Sequence, residues 1–70
     1  MHGFGKILVR LREDKTQEEV ARSVGISTSA LGMYETEKRI PRVAIKIKLA
    51  EYYSVSVQDI FFAQNVTKSD

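Results

Sequence analysis

The chain has 70 residues, 43 % of them apolar and 29 % charged, which is material for one small core; length excludes a second core, and composition is too apolar for a disordered tail. Cysteine is absent and His2 is the single histidine, so disulfides and thiolate metal sites are excluded and a histidine-centred triad or zinc cluster has almost no raw material. The net charge of +2 says little, but Lys38, Arg39, Arg42, Lys46 and Lys48 follow one another without an acid, while Glu13, Asp14, Glu18, Glu19, Glu35 and Glu37 lie earlier.

One sign clustered on a small domain fits either a polyanion-binding face or an ordinary solvated surface. No apolar run approaches the roughly 18 residues of a membrane helix, and Met1 to Leu11 carries charges through its apolar part, unlike a signal peptide. The expectation is a soluble, intracellular, compact module.

Phe4, Ile7, Leu8 and Leu11 follow the i, i+3, i+4, i+7 rule, so an amphipathic helix is predicted from about 4 to 13. Lys6, Arg10 and Arg12 fall on its wetter side. Thr16 with Glu19 three residues later matches a capping box, and a second helix should run from Gln17 to about Val24, burying Val20, Ala21 and Val24. Gly25 follows, where a left-handed residue would close it. Ser27 is a good N-cap for a third helix over 28–35, with Ala30, Leu31 and Tyr34 apolar. Glu37 to Pro41 reads as a loop, and proline restricts Ile40 to extended backbone. A fourth helix should start near Pro41 or Arg42, with proline in its first turn, and reach Tyr53. Ile45-Lys46-Ile47-Lys48-Leu49 alternates as a strand would, but Ile45, Leu49, Ala50 and Tyr53 also satisfy helical spacing. Ser56 caps a short last helix with Val57, Ile60 and Phe61, and residues 63–70 read as a loose C-terminal tail beyond a domain over 1–62.

The informative stretch is Gln17 to Thr36. Two short helices about three residues apart must cross steeply, and the crossing needs a small residue and a left-handed turn. Ala21 and Gly25 supply them, while Val20, Val24, Ile26, Leu31 and Tyr34 form a shared apolar seam. The stretch TQEEVARSVGISTSALGMYETEKRIP resembles the Cro/cI-type (Xre-type) helix-turn-helix regulators of phages and bacteria. The likeness runs from about Gly5 to Phe62, including the leading Leu11-Arg12 and the closing Val55-Ser56-Val57-Gln58-Asp59-Ile60-Phe61. It implies an all-α, five-helix, lambda-repressor-like DNA-binding domain, acting as a dimer on an operator. The family commonly has glycine where Glu37 and Ser54 stand, both left-handed positions, which leaves the conformation of those two loops open.

Docking of this kind puts the third helix in the major groove and the second across the backbone. Gln17 is then placed for a phosphate oxygen, its role in the resembling family. Ser27, Thr28, Ser29, Gly32 and Met33 remain on the outer face of the third helix. Hydroxyls of Ser27, Thr28 and Ser29 are candidates for base edges, and Met33 for a thymine methyl. Lys38, Arg39 and Arg42 flank that helix as phosphate clamps. The resemblance implies a structural ion pair between Arg10 and Glu35. Tyr52 and Tyr53 read as core and rim, not as a stacking platform.

Ile60, Phe61 and Phe62 are consecutive on a short helix and cannot all face one core, so Phe61 and Phe62 are candidates for a dimer interface, with Phe62 left outside and Val66 over the same patch. The reading is a sequence-specific regulator of double-stranded DNA, a dimeric repressor on a palindromic operator, cytoplasmic and nucleoid-associated. Neither catalysis nor any cofactor, metal, membrane or small-molecule ligand is expected. The alternatives are the antitoxin of a toxin–antitoxin operon and a protein-interaction module that reuses the fold without DNA.

Overall fold

The computed structural model describes residues 3–62. They form five helices: α1 (Phe4–Arg12), α2 (Gln17–Val24), α3 (Thr28–Glu35), α4 (Val43–Tyr53) and α5 (Val57–Phe61). No strand occurs among them. His2, Val66 and the rest of the proposed tail lie outside the described residues.

Local chemistry sets most of the boundaries. Thr16 and Glu19 close a reciprocal capping box: the Glu19 N–H donates to Thr16 Oγ1 at 3.0 Å, and the Thr16 N–H to Glu19 Oε1 at 3.2 Å. Ser56 and Asp59 repeat the device at α5, at 3.0 and 3.2 Å. Ser27 Oγ accepts the Ala30 N–H at 3.0 Å and starts α3. Proline does not occupy the first turn of α4, contrary to expectation. Pro41 is itself buried and Arg42 is the extended N-cap, with φ −69° and ψ 164°, so the helix begins one residue later. The alternating run Ile45 to Leu49 is helical: Leu49 and Ala50 are buried, while Ile47 and Lys48 face outward. Tertiary burial overrides the period-two pattern.

The core consists of Phe4 and Leu8 from α1, Val20, Ala21 and Val24 from α2, Leu31 and Tyr34 from α3, Leu49 and Ala50 from α4, and Ile60 from α5. Every helix thus contributes. Full burial of Leu8, Leu31, Leu49 and Ile60 stabilises the fold by about 2 kcal/mol each. Contacts join α1 to α3 and α5, α2 to α3 and α4, and α4 to α5, so α3 is held from two sides.

Tyr53 ends α4 with its ring edge-on to Tyr52, the centroids 5.0 Å apart. Its hydroxyl is buried with no hydrogen-bond partner among the described residues. Burial pushes the phenol up to about 12, with a smaller push from the Glu35 charge. The unfolded chain releases this proton near the ordinary 10, so stability should fall as pH rises from about 10 to 12 and be insensitive to this group below that window. Tyr53→Phe should remove that part of the alkaline loss, on the order of 1 kcal/mol after solvent screening, and leave neutral-pH stability equal or higher. Urea unfolding of both proteins at pH 7 and 11 checks it; a phenylalanine variant less stable at pH 7 would show that the hydroxyl has a partner.

Candidate nucleic-acid interface

Gly25 closes α2 in the left-handed region at φ 90°. Its N–H and that of Ile26 both donate to the Ala21 carbonyl, at 2.8 and 3.0 Å, which turns the chain within two residues. Val20, Val24, Leu31 and Tyr34 then meet in a buried seam with Ile26 partly covered, and Ala21 is almost fully enclosed. This leaves Thr28 and Ser29 exposed at the start of α3, with Gly32 and Met33 half-buried further along. Ser27 is exposed too, but its oxygen already accepts the Ala30 N–H, which leaves its hydroxyl proton and one lone pair for an outside partner.

The end of α3 carries a buried carboxylate. Glu35 is 8 % exposed and accepts three N–H groups: Arg12 Nε at 2.8 Å, Arg12 Nη2 at 3.1 Å and Gln17 Nε2 at 2.8 Å. The hydrogen bond to Glu35 raises the Arg12 pKa above its ordinary value, against burial, which lowers it. Arg12 Nη1 also donates to the Lys15 carbonyl at 2.9 Å and so fastens the turn between α1 and α2. The expected partner of Glu35, Arg10, is exposed and is not the residue that pairs with it. Two residues rotate a helix by about 200°, so Arg10 and Arg12 lie on opposite sides. Only Arg12, four residues beyond Leu8 and eight beyond Phe4, continues the buried stripe.

After α3 the backbone bends through Glu37, at φ 62°. The N–H groups of Lys38 and Arg39 return to the Met33 carbonyl at 2.9 and 3.3 Å. Lys38 and Arg39 are exposed in this strap, and exposed Arg42 ends it as the cap of α4. The five-cation run divides here. Lys46 Nζ lies 5.3 Å from the Phe61 ring centroid and 5.5 Å from that of Phe62, a cation–π arrangement on the α5 side. Lys48 borders a shallow hollow with Ser23, Val24, Glu51 and Tyr52. Three cations therefore remain beside α3.

A helix-turn-helix family model matches residues 8–60, covering every helix except the first turn of α1 and the last residue of α5. The chain belongs to the Xre-type helix-turn-helix family. It is also 29 % identical over 56 residues to an uncharacterised HTH-type transcriptional regulator of Methanocaldococcus jannaschii, the alignment covering 80 % of this chain and 85 % of that protein. No solved structure matches the chain.

Within this helix-turn-helix domain the two loop positions that the sequence left open, Glu37 and Ser54, are left-handed without glycine, at φ 62° and 59°. A residue with a Cβ loses about 1–2 kcal/mol there. At Glu37 something offsets the loss: Oε2 accepts the Gly5 N–H at 2.9 Å and caps α1, whose own N-cap, Gly3, supplies no side chain. A carboxylate at a helix N-terminus is stabilising by charge as well. Nothing in the sequence pairs residues so distant, and this cap was not foreseen. Glu13 adds a third positive φ, 54°, just after α1.

Phe62 stands outside the core, 41 % exposed, as predicted. Phe61 does not join it there; it packs on Phe4 with ring centroids 5.3 Å apart, so its surface is largely spent within the chain. Among the described residues no group of acidic or histidine side chains could hold a metal ion, and no helix is long and apolar enough to cross a membrane.

Proposed function

We propose that the chain is a sequence-specific regulator of double-stranded DNA that acts as a repressor, by occupying its operator, and has no catalytic role. The observation that carries this reading is the grouping of exposed Thr28 and Ser29 at the start of α3 with exposed Lys38, Arg39 and Arg42 in the strap beyond it. Cations neutralise phosphates while the helix start meets base edges, with Met33 beside it for a thymine methyl. Free hydroxyls and a thioether make few strong base contacts, so phosphates dominate affinity. Each of Lys38→Ala, Arg39→Ala and Arg42→Ala should reduce the magnitude of the log K against log salt slope by about one unit. Thr28→Val and Ser29→Ala should change sequence preference more than salt dependence. Unchanged slopes in all three alanine variants would overturn the placement, and binding to no duplex at low salt would favour a protein-interaction module.

A helix of eight residues with such weak readers covers few base pairs, which supports a symmetric dimer with half-sites about 10 base pairs apart, or a multiple of that. Its contact is proposed at Phe62, with exposed Val43 and Ile47 one turn apart on α4 as further apolar surface. Phe62→Asp should keep the fold and shift sedimentation to the monomer. A folded variant that remains dimeric would place the interface elsewhere.

A further inference from the structure

Gln17 stands at the first position of α2, yet its side chain is turned towards α3. Nε2 donates to Glu35 Oε1 at 2.8 Å. A Cβ built on Gly32 would lie 3.7 Å from Gln17 Nε2 and 3.9 Å from its Oε1, ordinary contact distances, so the amide stands over this glycine with room for one carbon between them. Its orientation is decided by chemistry: a carboxylate only accepts, so nitrogen and not oxygen must face Glu35. Glu35 is itself immobilised by the two-pronged grip of Arg12, at 2.8 and 3.1 Å.

We infer that Glu35 is a positioning residue for DNA contact: held by Arg12, it fixes the Gln17 amide on Gly32 so that the second amide N–H is presented to a backbone phosphate. This rests on the DNA binding proposed above, with Gln17, at the start of α2, placed for a phosphate as the family resemblance implies. An unanchored glutamine must give up rotamer freedom on binding; one already ordered in the free protein gives up little, so the anchor raises affinity without touching DNA. Burial of Glu35 and its charge neutralisation by Arg12 keep the carboxylate from repelling the phosphate.

A binding cycle on random-sequence duplex at low salt separates positioning from simple support of α3. Gln17→Ala should weaken binding about fivefold in the wild-type chain. In a background where Arg12→Met and Glu35→Leu together replace the ion pair by apolar side chains, the same substitution should cost less than about twofold, because the amide is no longer held. Glu35→Gln alone, which keeps an accepting oxygen, should retain most of the effect of Gln17. Equal costs in both backgrounds would overturn the inference while leaving the phosphate contact standing. No cost in the wild type would remove the contact itself and the inference with it. A second readout does not depend on any variant folding: the Gln17 side-chain NH2 protons of the intact protein should show contacts to the Gly32 Hα protons, free and DNA-bound, and a freely rotating amide signal in both states would overturn the inference.

Discussion

Arg12→Ala is expected to destabilise the domain by about 3–5 kcal/mol, whereas Arg10→Ala should stay within about 0.5 kcal/mol of the wild type. Removing the guanidinium leaves the Glu35 carboxylate, whose side chain is 3 % exposed, with Gln17 as its remaining donor. Arg10 is solvated, and its removal exposes nothing. Since a chain of this size has a total stability of roughly 4–10 kcal/mol, the first variant approaches the unfolding threshold and the second does not. Replacing both members of the pair, Arg12→Met with Glu35→Leu, should restore stability to within about 2 kcal/mol of the wild type, because no buried charge is left unpaired. Urea unfolding measures all of these. Equal costs for the two arginines would place the ion pair at the wrong register.

Gly5→Ala should also destabilise the domain, although alanine is the better helix former. A Cβ at Gly5 would collide with the Glu35 backbone carbonyl oxygen and lie 2.9 Å from Glu37 Cγ. The first contact is with backbone, so α1 and the end of α3 would have to separate. Overpacking of this kind costs about 1–3 kcal/mol, and separation would also stretch the hydrogen bond from the Gly5 N–H to Glu37. Against this stands a helix-propensity gain of at most about 1 kcal/mol, smaller in the first turn. Gly32→Ala is the contrasting case. The added carbon meets only the Gln17 amide at ordinary contact distance, so stability should rise by about 0.5–1 kcal/mol. Thermal unfolding of the pair checks both signs; a stabilised Gly5→Ala would mean that α1 and α3 are not pressed together at that glycine.

These two residues mark where the sequence was legible and where it was not. The starts of α2, α3 and α5 and the end of α2 were legible because they are written locally, in Thr16 with Glu19, in Ser27 and Ser56, and in Gly25; Phe62, expected on the last helix, instead follows its end at Phe61. The seam between α2 and α3 and the exposure of Phe62 followed from spacing, and the family from the likeness of the stretch Thr16 to Pro41. What stayed hidden depends on residues far apart in the chain. The carboxylate of Glu37 capping α1 and the close passage of Gly5 beside Glu35 join positions some thirty residues apart. The Arg12–Glu35 pair was within reach, because the stripe from Phe4 through Leu8 points to Arg12. Likeness to relatives points instead to Arg10, which helical rotation puts on the side of α1 away from Glu35. The strand-like alternation in α4 was correctly outweighed by its length and by the i, i+4 apolar pairs.

The central claim is that α3 and the cations beside it read duplex DNA. Selection of bound fragments from a random duplex pool by the intact chain, repeated with the Thr28→Val and Ser29→Ala variants, tests it most directly. The expected result is a short enriched sequence, present as two half-sites related by two-fold symmetry, whose composition changes in the helix variants while overall retention persists. A pool that emerges without enrichment, or an enriched sequence identical in the wild type and both variants, would contradict it.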